Sequence, residues 1–132
     1  AGAVGRAAAI QYLNTLGMEN VHRAEQELTA YLIKGMQSIP HVHLLGSARP
    51  DNHTGIASFT VDRVHPHDIS EILSSDGIDI RAGHHCAQPL HQHLGIPSTA
   101  RASVMFYNTV AEVDRFLESV ANIRKRMGFG DE

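Results

Sequence analysis

The 132-residue sequence has one cysteine, no tryptophan and few other aromatic residues. A single cysteine excludes an internal disulfide, and a secreted domain of this size would more often carry paired cysteines, so we expect a cytoplasmic protein. No apolar run approaches the roughly 20 residues that a membrane-spanning helix needs. The formal net charge of -3 gives no reason to expect nucleic acid or a membrane surface as a partner.

The sequence also lacks an initiator methionine, and its small, apolar residues 1–10 do not have the layout of a signal peptide. We therefore expect the chain to be part of a longer protein. Its length suits one compact domain, and 42% hydrophobic with 19% charged residues is an ordinary globular balance. No repeat, low-complexity stretch or linker divides it, so we predict a single domain over residues 1–132.

Helical and strand-like patterns alternate along the chain. Apolar spacing and capping residues predict helices at 4–16, from Asn20 to before Pro40, from Pro66 to about Gly77, at 88–94, and from Thr109 onward. Alternation predicts strands at 42–45, 56–61, 78–81 and 102–107. This interleaving with short connections predicts an α/β fold of two layers, in which a short mixed or antiparallel sheet is covered by helices on one face.

Cys86 is the first candidate for chemistry. A lone cysteine is more often a small buried apolar residue, but Cys86 falls in a predicted strand-to-helix turn with Gly83, His84 and His85. Such a turn exposes the sulfur, and a helix N-terminus with nearby Arg81 favours the thiolate, which is the nucleophilic form. With no second cysteine in the chain, sulfur placed on Cys86 would wait for an outside acceptor.

Arg101 and Asn108 stand near the two ends of the last predicted strand. A planar guanidinium binds a carboxylate through two hydrogen bonds, although an arginine taken alone is more often a surface charge. Asn108 is either a turn residue or a polar contact.

The ten histidines raise the question of a metal site. Side chains of adjacent His84 and His85 diverge in an extended backbone, and those of His91 and His93 face different sides of a helix. A zinc site would have to gather Cys86 with histidines from separated segments. We therefore predict no metal site, and we expect most of the other histidines at the surface.

One long run around Cys86 is specific enough to be recognised. It reads Arg81-Ala82-Gly83-His84-His85-Cys86-Ala87-Gln88-Pro89-Leu90. Further matching segments are Gly17-Met18-Glu19, Val64-His65-Pro66-His67-Asp68, Leu94-Gly95-Ile96-Pro97, Ala100-Arg101-Ala102-Ser103, Tyr107-Asn108-Thr109 and Glu112-Val113-Asp114. Over nearly its whole length the chain resembles SufS-type (group II) cysteine desulfurases, which belong to the class-V aminotransferase-like enzymes that use pyridoxal 5'-phosphate (PLP).

The resemblance implies the C-terminal small domain of a fold-type-I PLP enzyme, normally a much longer homodimer. Such an enzyme converts L-cysteine to L-alanine and an enzyme persulfide. The sulfur then passes to a SufE- or SufU-like acceptor protein for iron–sulfur cluster assembly, and selenocysteine lyase activity can accompany it. The resemblance makes Cys86 the catalytic nucleophile and Arg101 the group that binds the substrate carboxylate, with Arg81, His85 and Asn108 lining the site.

His67 lies in the His-Pro-His-Asp segment, which in this family engages the metal of a zinc-bearing acceptor. The resemblance therefore implies a partner contact at His67. A helix-start histidine without a partner role is the alternative.

The chain departs from the family in one respect that bears on activity. The family's Schiff-base lysine lies in a large domain upstream, whereas Lys34 and Lys125 fall on predicted helices outside any such motif. We expect PLP to be held by the longer protein and not by this chain alone, which would then be inactive. Two alternatives stay open, a stand-alone persulfide carrier and a histidine-rich metal-binding module. The apolar stripe of the first helix is expected to pack on the missing domain, or to self-associate when exposed.

Overall fold

Five α-helices and a four-stranded sheet make up residues 1–129, the part of the chain that the computed structural model describes. The helices are α1 (Gly2–Leu16), α2 (Met18–Gln37), α3 (Pro66–Ser75), α4 (Gln88–Leu94) and α5 (Val110–Arg126). The strands are β1 (Val42–Leu44), β2 (Ile56–Val61), β3 (Arg81–Gly83) and β4 (Thr99–Ser103). A single 3-10 turn, Pro50–Asn52, lies in the loop between β1 and β2.

The sheet is antiparallel throughout, with the strand order β1-β2-β4-β3. β4 is therefore an inner strand, hydrogen-bonded to β2 on one side and to β3 on the other. Because side chains alternate along a strand, β4 directs Ala100 and Ala102 to one face and Thr99 and Arg101 to the other. One face of this strand therefore packs in the core, and the other carries Thr99 and Arg101.

The face of Ala100 and Ala102 carries the hydrophobic core. Phe59 of β2 pairs with Ala100, and its ring meets that of Phe116 of α5 edge to face, with 6.1 Å between centroids. Buried side chains of α2, α3 and α5 complete the core: Leu28, Leu32, Ile33, Met36, Ile69, Leu73, Val113, Phe116, Val120 and Ile123. This arrangement confirms the predicted α/β fold with a helical layer on one face of the sheet, and the sheet is antiparallel.

Several boundaries differ from the predicted ones. The strand predicted at 78–81 begins only at Arg81, and the one predicted at 102–107 is Thr99–Ser103. After Ser103 the chain leaves the ladder, and Asn108 N–H closes a turn on the Met105 carbonyl at 2.9 Å. The second helix was expected to begin at Asn20, but Gly17, with φ 83°, is the N-cap and the single residue between α1 and α2.

Helix α1 contributes nothing to the core, since none of its residues is buried. Of the predicted apolar stripe, Ile10 is 52% exposed, while Leu13 and Leu16 are half-buried. No helix within residues 1–129 combines the length and apolar character needed to cross a membrane. The apolar side chains of α1 are therefore largely exposed, and their packing on another domain or self-association stays a prediction.

Candidate active site

Cys86 lies in a tight reverse turn directly after β3. The Ala87 N–H donates to the His84 carbonyl at 2.8 Å, and the two central residues, His85 and Cys86, have φ of 53° and 61°. Positive φ at both central positions is the type I′ pattern, which favours glycine and asparagine. Non-glycine residues held in this region cost about 1–3 kcal/mol each and cluster at functional sites. The turn leaves Cys86 exposed, as a nucleophile requires.

Two arginines face each other beside this turn. Arg81 of β3 and Arg101 of β4 are direct partners in the antiparallel register, so their side chains leave the same face of the sheet. Within residues 1–129 neither forms an ion pair with a carboxylate, and the Arg101 Nε atom is buried without a hydrogen-bond partner. Two neighbouring guanidinium groups repel each other, and a bound anion such as a carboxylate would relieve that repulsion.

His85 ties the turn to the same strand. Its Nε2 lies 3.0 Å from the Thr99 hydroxyl oxygen and 3.2 Å from the Thr99 carbonyl oxygen. Burial lowers the pKa of His85 below its usual value, and the positive charge of Arg101 lowers it further. The ring is therefore neutral near pH 7 and adds no third charge beside Arg81 and Arg101.

His91 is a member of this cluster that sequence reasoning missed. The sequence predicted only that His91 and His93 face different sides of a helix, whereas the structure buries His91, of which 7% is exposed. Its Nε2 lies 3.1 Å from the Thr99 hydroxyl oxygen and its Nδ1 3.1 Å from the Ala87 carbonyl oxygen. The sequence does contain a signal for this contact: His91 follows Ala87 by four residues, and side chains at that spacing lie over the same face of a helix. Thr99 gave none, because its burial depends on the pairing of β3 with β4.

The structure places Asn108 and His67 outside the cluster around Cys86. The Asn108 Oδ1 accepts from the Met105 N–H at 2.9 Å, so the side chain shapes the turn before α5. His67 is exposed at the start of α3, with its ring stacked on His65 at 5.3 Å. Their assigned roles stay predictions, whereas Arg81, His85, Cys86 and Arg101 lie along one corner of the sheet.

Three further histidines have hydrogen-bond partners outside this cluster. His41 and His43 both contact the Asp62 carboxylate, and the two ring nitrogens of His53 face backbone carbonyl oxygens. In the part of the chain that the structure describes, no three His, Cys, Asp or Glu side chains are grouped so that they could hold a metal ion.

Comparison with known proteins identifies the family. The sequence pattern of "Aminotransferase class-V" matches residues 1–116, a range that includes the whole sheet and the Cys86 turn. The chain belongs to the aminotransferase class-V family. This finding bears out the resemblance read from the segment around Cys86, although the group II subtype stays a prediction.

Relatives within this class-V family are cysteine desulfurases by name. The "Probable cysteine desulfurase 2" of Mycobacterium leprae is 46% identical over 117 residues, which are 89% of this chain and 28% of that protein. The "Probable cysteine desulfurase" of Streptomyces coelicolor is 39% identical over 128 residues, or 97% of this chain and 31% of that protein. The chain thus spans less than a third of the length of these relatives.

Solved structures of the class-V family have the same fold. The apo cysteine desulfurase from Thermococcus onnurineus NA1 superimposes with a TM-score of 0.88 at 38% identity, covering 95% of this chain and 31% of that one. A C-DES mutant with glycine covalently linked to its PLP cofactor gives a TM-score of 0.70 at 26% identity, covering 87% of this chain and 27% of that one. PLP is thus a cofactor found among the class-V relatives.

Proposed function

We propose that this chain is the C-terminal small domain of a longer, PLP-dependent cysteine desulfurase of the SufS type, and that Cys86 receives the sulfur. The observation that carries the proposal is the position of the one cysteine, exposed in a left-handed turn next to two arginines without carboxylate partners. Cysteine desulfurases among the relatives support it. The longer protein would be a cytoplasmic homodimer that supplies sulfur for iron–sulfur clusters, with selenocysteine lyase activity as a further capacity.

In this proposal, Cys86 reacts with the sulfur of the substrate, and the two arginines bind its carboxylate. Arg101, supported by Arg81, binds the carboxylate of L-cysteine and so fixes the distance between the substrate sulfur and Cys86. In the net reaction the substrate's C–S bond breaks, its carbon takes up a hydrogen to give L-alanine, and an S–S bond forms on Cys86. Because the His85 ring is neutral, it adds no positive charge beside the two guanidinium groups that bind the carboxylate.

The chain's own residues do not fit the covalent attachment of PLP, which the cofactor makes to a lysine. Lys34 on α2 and Lys125 on α5 are both exposed on helices of the opposite layer, away from the Cys86 turn. The cofactor would therefore be held by the part of the longer protein that this chain does not include. We expect the isolated chain neither to hold PLP nor to turn over cysteine.

Two predicted residues have roles outside the central cluster in this proposal. Exposed His67 at the start of α3 would contact the metal of a zinc-bearing sulfur-acceptor protein. Asn108 would line the larger site from the turn before α5, where its side chain already holds the backbone at Met105.

The test uses the full-length protein, with alanine formation from L-cysteine and intact mass as readouts. Cys86→Ser is expected to remove the mass gain of one sulfur atom and to lower turnover by more than about 100-fold. Arg101→Lys keeps the charge but loses the two-bond geometry, so KM should rise by about 10-fold. His93→Ala, an exposed change on α4, is the control and should leave both readouts unchanged. A Cys86→Ser protein that still forms a persulfide would contradict the proposal.

A stand-alone persulfide carrier is the second candidate, because the chain offers a nucleophile without a cofactor lysine. It requires Cys86 but has no need of the arginine pair. Incubation of the 132-residue chain with a low-molecular-weight persulfide, followed by intact mass and transfer to an acceptor, separates the two. Transfer by a protein encoded without any further domain would favour the carrier.

A further inference from the structure

A continuous set of hydrogen bonds links the Cys86 turn to β4 through two histidines. It runs from the Ala87 carbonyl to His91 Nδ1 (3.1 Å) and from His91 Nε2 to the Thr99 hydroxyl (3.1 Å). It then passes from Thr99 to His85 Nε2, at 3.0 Å from the hydroxyl and 3.2 Å from the carbonyl oxygen. Thr99 is only 1% exposed, so water does not compete for these bonds.

The direction of each bond follows from its fixed ends. A carbonyl oxygen only accepts, so the Ala87 carbonyl requires the proton of neutral His91 to be on Nδ1. Its Nε2 is then an acceptor, and the Thr99 hydroxyl must donate to it. The Thr99 carbonyl likewise requires a proton on His85 Nε2, which the lone pair of the same hydroxyl also accepts.

The same argument leaves His85 Nδ1 without a proton. This atom is buried, and among residues 1–129 it has no hydrogen-bond partner. A buried acceptor without a donor is costly, and such atoms are rare in folded proteins. A donor brought by a bound molecule would satisfy it, and the substrate proposed above, an amino-acid thiol, carries N–H and S–H donors.

We propose that His91 and Thr99 are positioning residues that hold His85 as its Nε2–H tautomer, so that His85 Nδ1 accepts a hydrogen bond from the substrate. This inference rests on the proposed function for the identity of the donor, whereas the tautomer follows from the hydrogen bonds alone. Burial and the arginine pair support it, because both keep the ring neutral.

The first experiment reads the tautomer directly. In the 132-residue chain with ¹⁵N-labelled histidine, NMR distinguishes protonated from unprotonated ring nitrogens, and His85→Gln assigns the signals of His85. The expected result is a protonated Nε2 and an unprotonated Nδ1. A protonated Nδ1 on His85 in the unchanged chain would overturn the proposal without any variant being needed.

The second experiment removes one hydroxyl. Thr99→Val keeps the shape of the side chain and the backbone carbonyl, but it removes the hydroxyl, which is the nearer of the two acceptors of the His85 Nε2–H, so the His85 signals should shift towards a mixture of tautomers. Thr99→Ser restores the hydroxyl and should restore the unchanged spectrum. If the valine variant keeps the tautomer of His85 intact, Thr99 does not position the ring.

The third experiment measures catalysis in the full-length protein. Thr99→Val is expected to lower kcat for alanine formation by about 10-fold and to leave KM near its original value, since Arg101 is intact; Thr99→Ser should recover the rate. An unchanged kcat together with the altered spectrum would overturn the catalytic part while Cys86 chemistry stands. A normal tautomer with an active Cys86→Ser protein would instead reject the proposed function alone.

Discussion

At the scale of single residues, Asp62 holds two histidines at the β1 edge of the sheet. Its carboxylate lies 2.7 Å from His43 Nε2 and 3.2 Å from His41 Nδ1. These hydrogen bonds, that of His43 above all, lower the pKa of Asp62. A carboxyl group with a lowered folded-state pKa contributes stability above its unfolded value, and this stability is lost as the pH falls through the folded value.

Asp62→Asn should therefore destabilise the protein near pH 5, and the difference from the unchanged chain should shrink towards about pH 2. Urea unfolding at several pH values in this range measures it. Asp51→Asn, in the exposed 3-10 turn, is the matched control. A difference that stays constant with pH would show that Asp62 acts through packing and not through its charge.

Which site residues could be predicted depended on whether their role is local. Cys86 and Arg101 could be predicted as site residues because the residue type alone indicates the chemistry: a thiol is a nucleophile, and a guanidinium binds carboxylates. The left-handed conformation of His85 and Cys86 could not be predicted, because neither residue is a glycine, the type that usually indicates a positive φ. The burial of Thr99 arises from strand pairing, which brings it against Gly83 at 16 residues' separation.

At the scale of elements, α5 begins with a reciprocal cap. The Thr109 hydroxyl accepts from the Glu112 N–H, while the Glu112 carboxylate accepts from the Thr109 N–H at 2.7 Å. Thr109→Ala should lower the free energy of unfolding by about 1 kcal/mol, because one helix-end N–H loses its acceptor. Thermal unfolding followed by circular dichroism checks this, with Thr109→Ser expected to stay close to the unchanged chain. An unaltered midpoint for the alanine variant would mean that water replaces the cap.

Helix ends were predicted better than strand ends for a physical reason. Gly17, Gly95 and Thr109 act through bonds within their own helix, so their signal lies in neighbouring residues. The bounds of β4 depend on Ala100 and Ala102, which are core residues only because Phe59 and Ala57 lie opposite. The strand was predicted to extend to residue 107 because the residues after Ser103 are more apolar, but β4 ends at Ser103.

At the scale of the whole molecule, stability should be concentrated in the sheet and three helices. Deletion of residues 1–16 removes α1, which buries no residue, so the free energy of unfolding should fall by less than about 1 kcal/mol. Phe59→Ala, at the centre of the core, should cost about 3–5 kcal/mol. Urea unfolding of both variants gives the comparison. A deletion as costly as the core substitution would show that α1 is part of the cooperative unit.

The position of β3 in the sheet has a consequence for motion. β3 is an edge strand of three residues, whereas β4 is bonded along both of its sides. Short edge strands open at a lower free energy than inner strands. The backbone leading to the sulfur can therefore fray while the strand that carries Arg101 keeps its register. In the proposed enzyme, a loaded Cys86 could swing towards an acceptor and return to a carboxylate clamp that has not moved.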